Sequence, residues 1–215
     1  MKDSDGKEMT IEVYQGDLPD DLDLGKCVAI DTEAMGLNPL RDRLCLVQIS
    51  SGDGNAHLIQ FPEGHKGVYD APNLVKLLED PDVTKLFHYA RFDVAILWVY
   101  LNVLTTNVYC TKIASRIART FTQHHSLKTL CKELTGTDLS KQQQCSDWGS
   151  MDITDKQKEY AASDVLYLHE IKEKLDIMLK REGREELLIA CNDFVPHRAV
   201  LDVAGWAEED IFAHH

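Results

Sequence analysis

Basic residues are scarce in this chain: 23 Lys and Arg stand against 36 Asp and Glu, leaving a formal charge of −13 at pH 7. Phosphate binding is driven by Lys and Arg, so the average charge excludes a general polyanion binder. Long apolar runs are missing too. The longest, around Val94 to Leu101, is far short of the roughly 20 residues a membrane span needs, so no membrane association is expected. The start, Met1-Lys-Asp-Ser-Asp-Gly-Lys-Glu8, carries acids and no apolar core and reads as neither a signal nor a transit peptide. Met9, ahead of the alternating Ile11-Glu-Val13-Tyr14, reads as an alternative start. None of the six cysteines (Cys27, Cys45, Cys110, Cys131, Cys145, Cys191) belongs to a Cys-x-x-Cys pair, which argues against a structural zinc site. Several lie in apolar runs, as reduced buried thiols do, and the cytoplasm is the expected compartment. There is no Pro/Gly/Ser-rich linker, internal repeat or low-complexity segment. One domain over residues 1–215 is expected, with a core at about 10–182 and a helical extension at 183–215.

What is present alternates in period. Lys26 to Asp31, Leu44 to Ile49 and Ala56 to Phe61 are short apolar runs that read as strands of a sheet buried on both faces. Their connections, Gly36 to Arg43 and Ser50 to Asn55, are short enough for antiparallel neighbours. Pro72 to Glu79 then reads as a helix, Thr84 to His88 as a strand, and Arg91 to Tyr100 and Thr111 to Ala118 as helices. Ser126 and Gly136 bracket another helix as start and stop signals. Ile153 to Arg181 carries apolar residues at Leu168, Ile171, Leu175 and Met178, a helical period. Beyond it, Glu185 to Asn192 extends a final helix that Pro196 is expected to interrupt. His214 and His215 read as remnants of a tag. The order predicts an α/β domain with a mixed central sheet flanked by helices.

Asp31 and Glu33 sit at i and i+2 at the end of a buried strand, so their carboxylates leave one face of the sheet. Like charges held that close repel, and a cation between them is the natural compensation, although a polar strand end facing water fits equally well. Asp93 falls in the first turn of a helix, where an acid also complements the helix dipole. Tyr160 and Asp164, at i and i+4, project toward a common neighbour. Taken together, the four carboxylates form a hard, all-oxygen ligand set suited to Mg²⁺ or Mn²⁺ rather than zinc. A pair of such ions can clamp the attacking and leaving oxygens of a phosphodiester, and the Tyr160 hydroxyl would then orient the attacking water.

These residues carry a resemblance. Asp31-Thr-Glu33 followed by Gly36-Leu37 resembles the first motif of the DEDD 3′–5′ exonucleases. Leu86-Phe-His88 through Ala90-Arg-Phe-Asp93 looks like their second, and Tyr160-Ala-Ala-Ser-Asp164 like their third. The Tyr-x-x-x-Asp spacing belongs to the tyrosine branch; the histidine branch has His where this chain has Glu159. Arg43 to Ile49, Thr111 to Ala114 and Ser146-Asp-Trp148 are similar to stretches of the ribonuclease D group, and the likeness runs from about Val28 to Leu179. It implies a ribonuclease-H-like (DnaQ-like) fold with one metal held by Asp31, Glu33 and Asp164. A second would be held by Asp31, with Asp93 acting through water. The implied reaction is stepwise release of nucleoside 5′-monophosphates from single-stranded 3′ ends, RNA favoured over DNA. The terminal nucleotides would lie against Met35, Gly36 and Leu37, with His88 and Phe92 opposite.

Departures from the ribonuclease D pattern matter. Cys110 stands where relatives usually carry Asp, and Gly149-Ser-Met-Asp-Ile replaces an Arg-Pro-Leu sequence after Trp148. Only about thirty residues follow the core, too few for the helical nucleic-acid-binding domains of ribonuclease D, so activity on short or single-stranded ends is expected. One local exception to the acidic balance fits a nucleic-acid partner: residues 111–132 contain no acid. Lys112, Arg116 and Arg119 there fall at i, i+4 and i+7, with Lys128 following. A solvated helix face and a phosphate track both account for them, and His124 and His125 lie in the same window. Two other readings stay open: a non-catalytic nucleic-acid-binding protein that keeps the fold, and a hydrolase of very short oligonucleotides.

Overall fold

The structure, a computed structural model, describes residues 10–62, 67–139 and 146–214. Met9, Cys145 and His215 lie outside the described residues.

The three apolar runs form β2 (Cys27–Ala34), β3 (Leu44–Ser50) and β4 (Ala56–Gln60), an antiparallel meander as their short connections require. The alternating Ile11–Gln15 becomes β1, an edge strand parallel to β4. On the other side, β5 (Thr84–Phe87) runs parallel to β2, and β6 (Val108–Cys110) runs parallel to β5. The sheet order is β1-β4-β3-β2-β5-β6, a mixed six-stranded sheet. Strand β6 is only three residues long and offers too little alternation to be read from sequence.

Helices cover both faces. On one, α1 (Pro72–Glu79) and α2 (Ala90–Leu101) pack Leu74, Leu78, Val94 and Leu97 against Val28, Ile30, Val47 and Ile49. On the other lie α3 (Thr111–Ala118), α4 (Leu127–Leu130), α5 (Asp155–Leu166) and α6 (Leu168–Glu182). The Ser126 hydroxyl accepts from the Thr129 amide, and the helix it starts continues as a wider turn over Cys131–Thr135 to Gly136, at φ +78.

Two expectations are corrected. The stretch read as one helix from Ile153 to Arg181 is two, because Tyr167 breaks the helical geometry at φ −102, ψ −3. The final helix, α7 (Glu185–Leu201), runs through Pro196 instead of stopping there. Proline removes one helical amide and crowds the preceding turn, but this helix is pinned by packing: Leu188, Val195 and Ala199 are buried, and the Asn192 side chain accepts from the Cys110 amide at 3.2 Å. The extension therefore lies on the core.

Candidate active site

Strand β2 delivers two carboxylates to one face and a hydroxyl to the other. Asp31 and Glu33 point to the side of α5, and Thr32, between them, points to α2 and donates to Asp93 Oδ1 at 2.7 Å. The β2–β3 register shifts directly after Glu33, a bulge that ends regular pairing where the site begins. Helix α5 supplies Asp164. Asp31, Glu33 and Asp164 each bring an oxygen within 4.8 Å of the other two. Asp93 approaches from the opposite helix layer, buried and fixed by Thr32.

The carboxylates are out of their ordinary range. Burial, then the charges of Asp93, Asp164 and Glu33, raises Asp31 well above it. Burial followed by Asp164 and Asp93 pushes Glu33 up to about 9. Asp93 and Asp164 are raised to about 7 by burial, against the lowering effect of hydrogen bonds from Thr32 and Tyr160 respectively. Protons or cations must occupy such a cluster, since packed carboxylates cannot all stay charged unaided. Three convergent carboxylate oxygens are a hard donor set that fits Mg²⁺ or Mn²⁺.

The Tyr160 hydroxyl is held up by burial and by the charges of Asp164, Glu33 and Asp31, so it remains a neutral donor. Its ring lies 6.0 Å from that of Trp148, which is buried against Leu46, Leu58 and Ala161 and serves as a structural anchor. Residues 149–151 are tied down from the sheet: Arg43 Nη2 donates to Gly149 O at 2.8 Å, and Gln60 Nε2 donates to Ser150 O at 2.9 Å and Met151 O at 3.1 Å.

Residues 9–180 match the family described as a 3′-5′ exonuclease. The chain belongs to the 3′–5′ exonuclease family. Ribonuclease D of Gluconacetobacter diazotrophicus is 34% identical over 157 residues, 73% of this chain and 39% of that protein. The exonuclease chain thus spans about four-tenths of the curated ribonuclease D relatives it matches first. Brucella melitensis NrnC bound to pGG superposes with a TM-score of 0.92 at 52% identity, covering 97% of this chain and 100% of that one. The same protein with bound Mg²⁺ gives 0.90 at 51% identity, over 96% and 100%. Escherichia coli RNase D, at 23% identity, TM-score 0.70 and coverage of 81% and 45%, shares the fold. The mixed sheet flanked by helices is the ribonuclease-H-like, DnaQ-like exonuclease fold.

Around the carboxylates, Met35 and Leu37 are exposed at 53% and 89%. Between them, a Cβ on Gly36 would require the Asp42 carboxylate, which the Asn38 amide and Arg41 hold, to shift. A Cβ on Gly149 would likewise meet Met35 Sδ, so the loop after β2 and the loop before α5 close on each other. Phe92, in the first turn of α2, is partly buried and packs against the core on that face. His88 is largely turned inward: Thr111 donates its hydroxyl to Phe87 O at 3.0 Å and accepts from His88 Nδ1 at 2.9 Å, and burial holds His88 down at about 3.

The basic stripe needs correction. Lys112 is partly buried with its Nζ 4.4 Å from the Tyr89 ring centroid, and Arg116 is exposed. Arg119 is 2% exposed and pairs with Glu133, while Lys128 pairs with Asp138 at 3.2 Å. The i+7 position fails because α3 ends at Ala118 and Arg119 has φ −112, ψ 62, which turns its side chain toward Ser115 and Glu133.

Sequence reasoning missed the partners of the acids. Thr32 fixes Asp93, and Gln48 Nε2 donates to Asp31 Oδ2 at 3.2 Å. Gln48 had a signal: it is an amide in the otherwise apolar run Leu44 to Ile49, and a buried polar side chain requires a partner.

Proposed function

We propose that this chain is a metal-dependent exonuclease that hydrolyses phosphodiester bonds from the 3′ end of single-stranded RNA, with DNA as a further substrate, and releases nucleoside 5′-monophosphates. The observation that carries this reading is the convergence of Asp31, Glu33 and Asp164 on one face, with Asp93 behind them, in a chain of this family. Two divalent ions, Mg²⁺ or Mn²⁺, would supply the charge that activates a water and stabilises the leaving oxygen. Asp31, Glu33 and Asp164 would hold one, and Asp31 with Asp93 the other. Tyr160, a neutral donor one helical turn from Asp164, orients the attacking water. Met35, Gly36 and Leu37 form the wall for the terminal nucleotides, with His88 and Phe92 opposite, and Lys112 and Arg116 take phosphate. The buried, unbridged thiols suit a cytoplasmic protein.

A second reading, preference for very short oligonucleotides, is favoured by one observation. The relative that matches almost the whole chain at 52% identity is described bound to pGG. Side-by-side digestion of matched RNA and DNA, as dinucleotides and as longer single and double strands with each ion, tests both. Turnover of single-stranded RNA, with or without a bias to the dinucleotide, is the expected result. Oligonucleotide binding that EDTA leaves unchanged, without cleavage, would contradict the enzymatic reading and favour a binding protein.

A further inference from the structure

Helix α2 starts without a side-chain cap and from a strained residue. Tyr89, just before its first residue, stands at φ +76, ψ 42, a left-handed conformation that a bulky side chain keeps only where its surroundings impose it. Yet this first turn carries Asp93, and a carboxylate that shares a metal ion has to be placed to within about half an ångström. From the inside, Thr32 holds the Asp93 carboxylate at 2.7 Å. The outside of the turn is held through Arg91. Two residues span about 200° of a helix, so Arg91 leaves α2 on the side away from Asp93.

There Arg91 meets the end of α7. Its Nε and Nη2 both donate to the Asp202 carboxylate, the latter at 2.8 Å, and Nη2 also donates to Ala207 O. Asp202 takes a second guanidinium as well: Arg198 Nη2 lies 3.0 Å away and donates to Trp206 O at 2.8 Å, while Arg198 Nη1 donates to Glu209 O at 3.1 Å. These carbonyls face the guanidiniums because the chain turns back after Asp202 at Gly205, whose φ of +112 is strained for any other residue. The side chain of Asp202 is only 11% exposed, and its bond to Arg91 is two-pronged, so water and salt do not screen it as they do a surface pair. Nor is the cluster needed to dock α7, which Leu188, Val195, Ala199 and the Asn192 bond to Cys110 already hold on the core.

We infer that Asp202, acting through Arg91, is a positioning residue for Asp93, and that the turn at Gly205 belongs to the same device. The end of α7 fixes the first turn of α2 from outside, as Thr32 fixes it from within. This rests on the reading of Asp93 as a ligand of the second divalent ion.

Mn²⁺ binding is counted by the electron paramagnetic resonance signal of the free ion, with a nucleoside 5′-monophosphate present so that its phosphate completes the coordination. The native protein takes up two ions, and Asp93→Asn loses the weaker. Asp202→Asn and Arg91→Gln each raise the Kd of that weaker ion about tenfold, the loss expected behind a metal ligand, and leave the ion between Asp31, Glu33 and Asp164 unchanged. The double variant binds no more weakly than either single one, because the two side chains act as a unit. Gly205→Ala keeps every charged side chain, disfavours the turn and weakens the same ion, which decides the matter if the charge variants fold poorly. In turnover of single-stranded RNA, the variants lose kcat at low Mn²⁺ and recover it at high Mn²⁺, with KM for RNA unchanged. A tie that merely holds the end of the chain down would lower the thermal midpoint and leave both ions alone. Unchanged affinity for the weaker ion in Asp202→Asn and Gly205→Ala, or equal loss of both ions, overturns the inference. If the native protein binds a single ion, or Asp93→Asn still binds two, the metal reading of Asp93 fails and the inference with it. If two ions bind but RNA is not cleaved, the exonuclease reading fails, and the titration still decides the role of Asp202.

Discussion

Tyr160 illustrates how a side chain acquires a role from its surroundings. Beside Asp164 and against Trp148, its hydroxyl keeps its proton throughout the working pH range, so it can orient a water but cannot act as a base. Tyr160→Phe is expected to lower kcat by roughly 10²- to 10⁴-fold, the usual worth of a positioned proton-handling group, with little change in KM. Steady-state kinetics on one single-stranded substrate checks this; unchanged kcat would remove Tyr160 from the chemistry. Other residues gain meaning only from their partners. Thr32 and Gln48 look like ordinary strand residues until the fold sets them against Asp93 and Asp31. Arg119 looked like a surface cation until the end of α3 turned it inward.

The site is a meeting of elements, chiefly β2 with α5 on one face and α2 on the other. Their packing forces carboxylates together and raises Glu33 to about 9 and Asp93 and Asp164 to about 7. Without metal, the folded chain therefore binds protons that the unfolded chain, with carboxyls near 4, has already lost. Its stability falls as pH rises from about 4 through about 9. A bound cation needs the deprotonated forms, so its stabilising effect grows over the same window. Thermal midpoints measured across that range in EDTA and in saturating Mg²⁺ should diverge as pH rises; a gap that narrows would contradict a metal site made of these acids. Elements were also where legibility varied most. The meander, α1 and α2 were readable because period and connection length agree. Strand β6 was too short to show a period. The break at Tyr167 and the continuation through Pro196 are settled by tertiary packing, which a local pattern does not contain.

For the whole molecule, the acids Asp31, Glu33, Asp93 and Asp164 span most of the sequence, yet the sheet order β3-β2-β5 and the helices on either face bring them together. Their residue types and spacing were legible in the chain; which helix layer each comes from was not, since that depends on strand order. The central claim is that these carboxylates, with divalent ions, remove nucleotides from a 3′ end. A single-stranded RNA labelled at its 5′ end, incubated with the protein and Mg²⁺ or Mn²⁺, tests it most directly. The account predicts a ladder shortening one nucleotide at a time, abolished by EDTA and by Asp31→Ala. No shortening with either ion, or an undiminished ladder from Asp31→Ala, would contradict it.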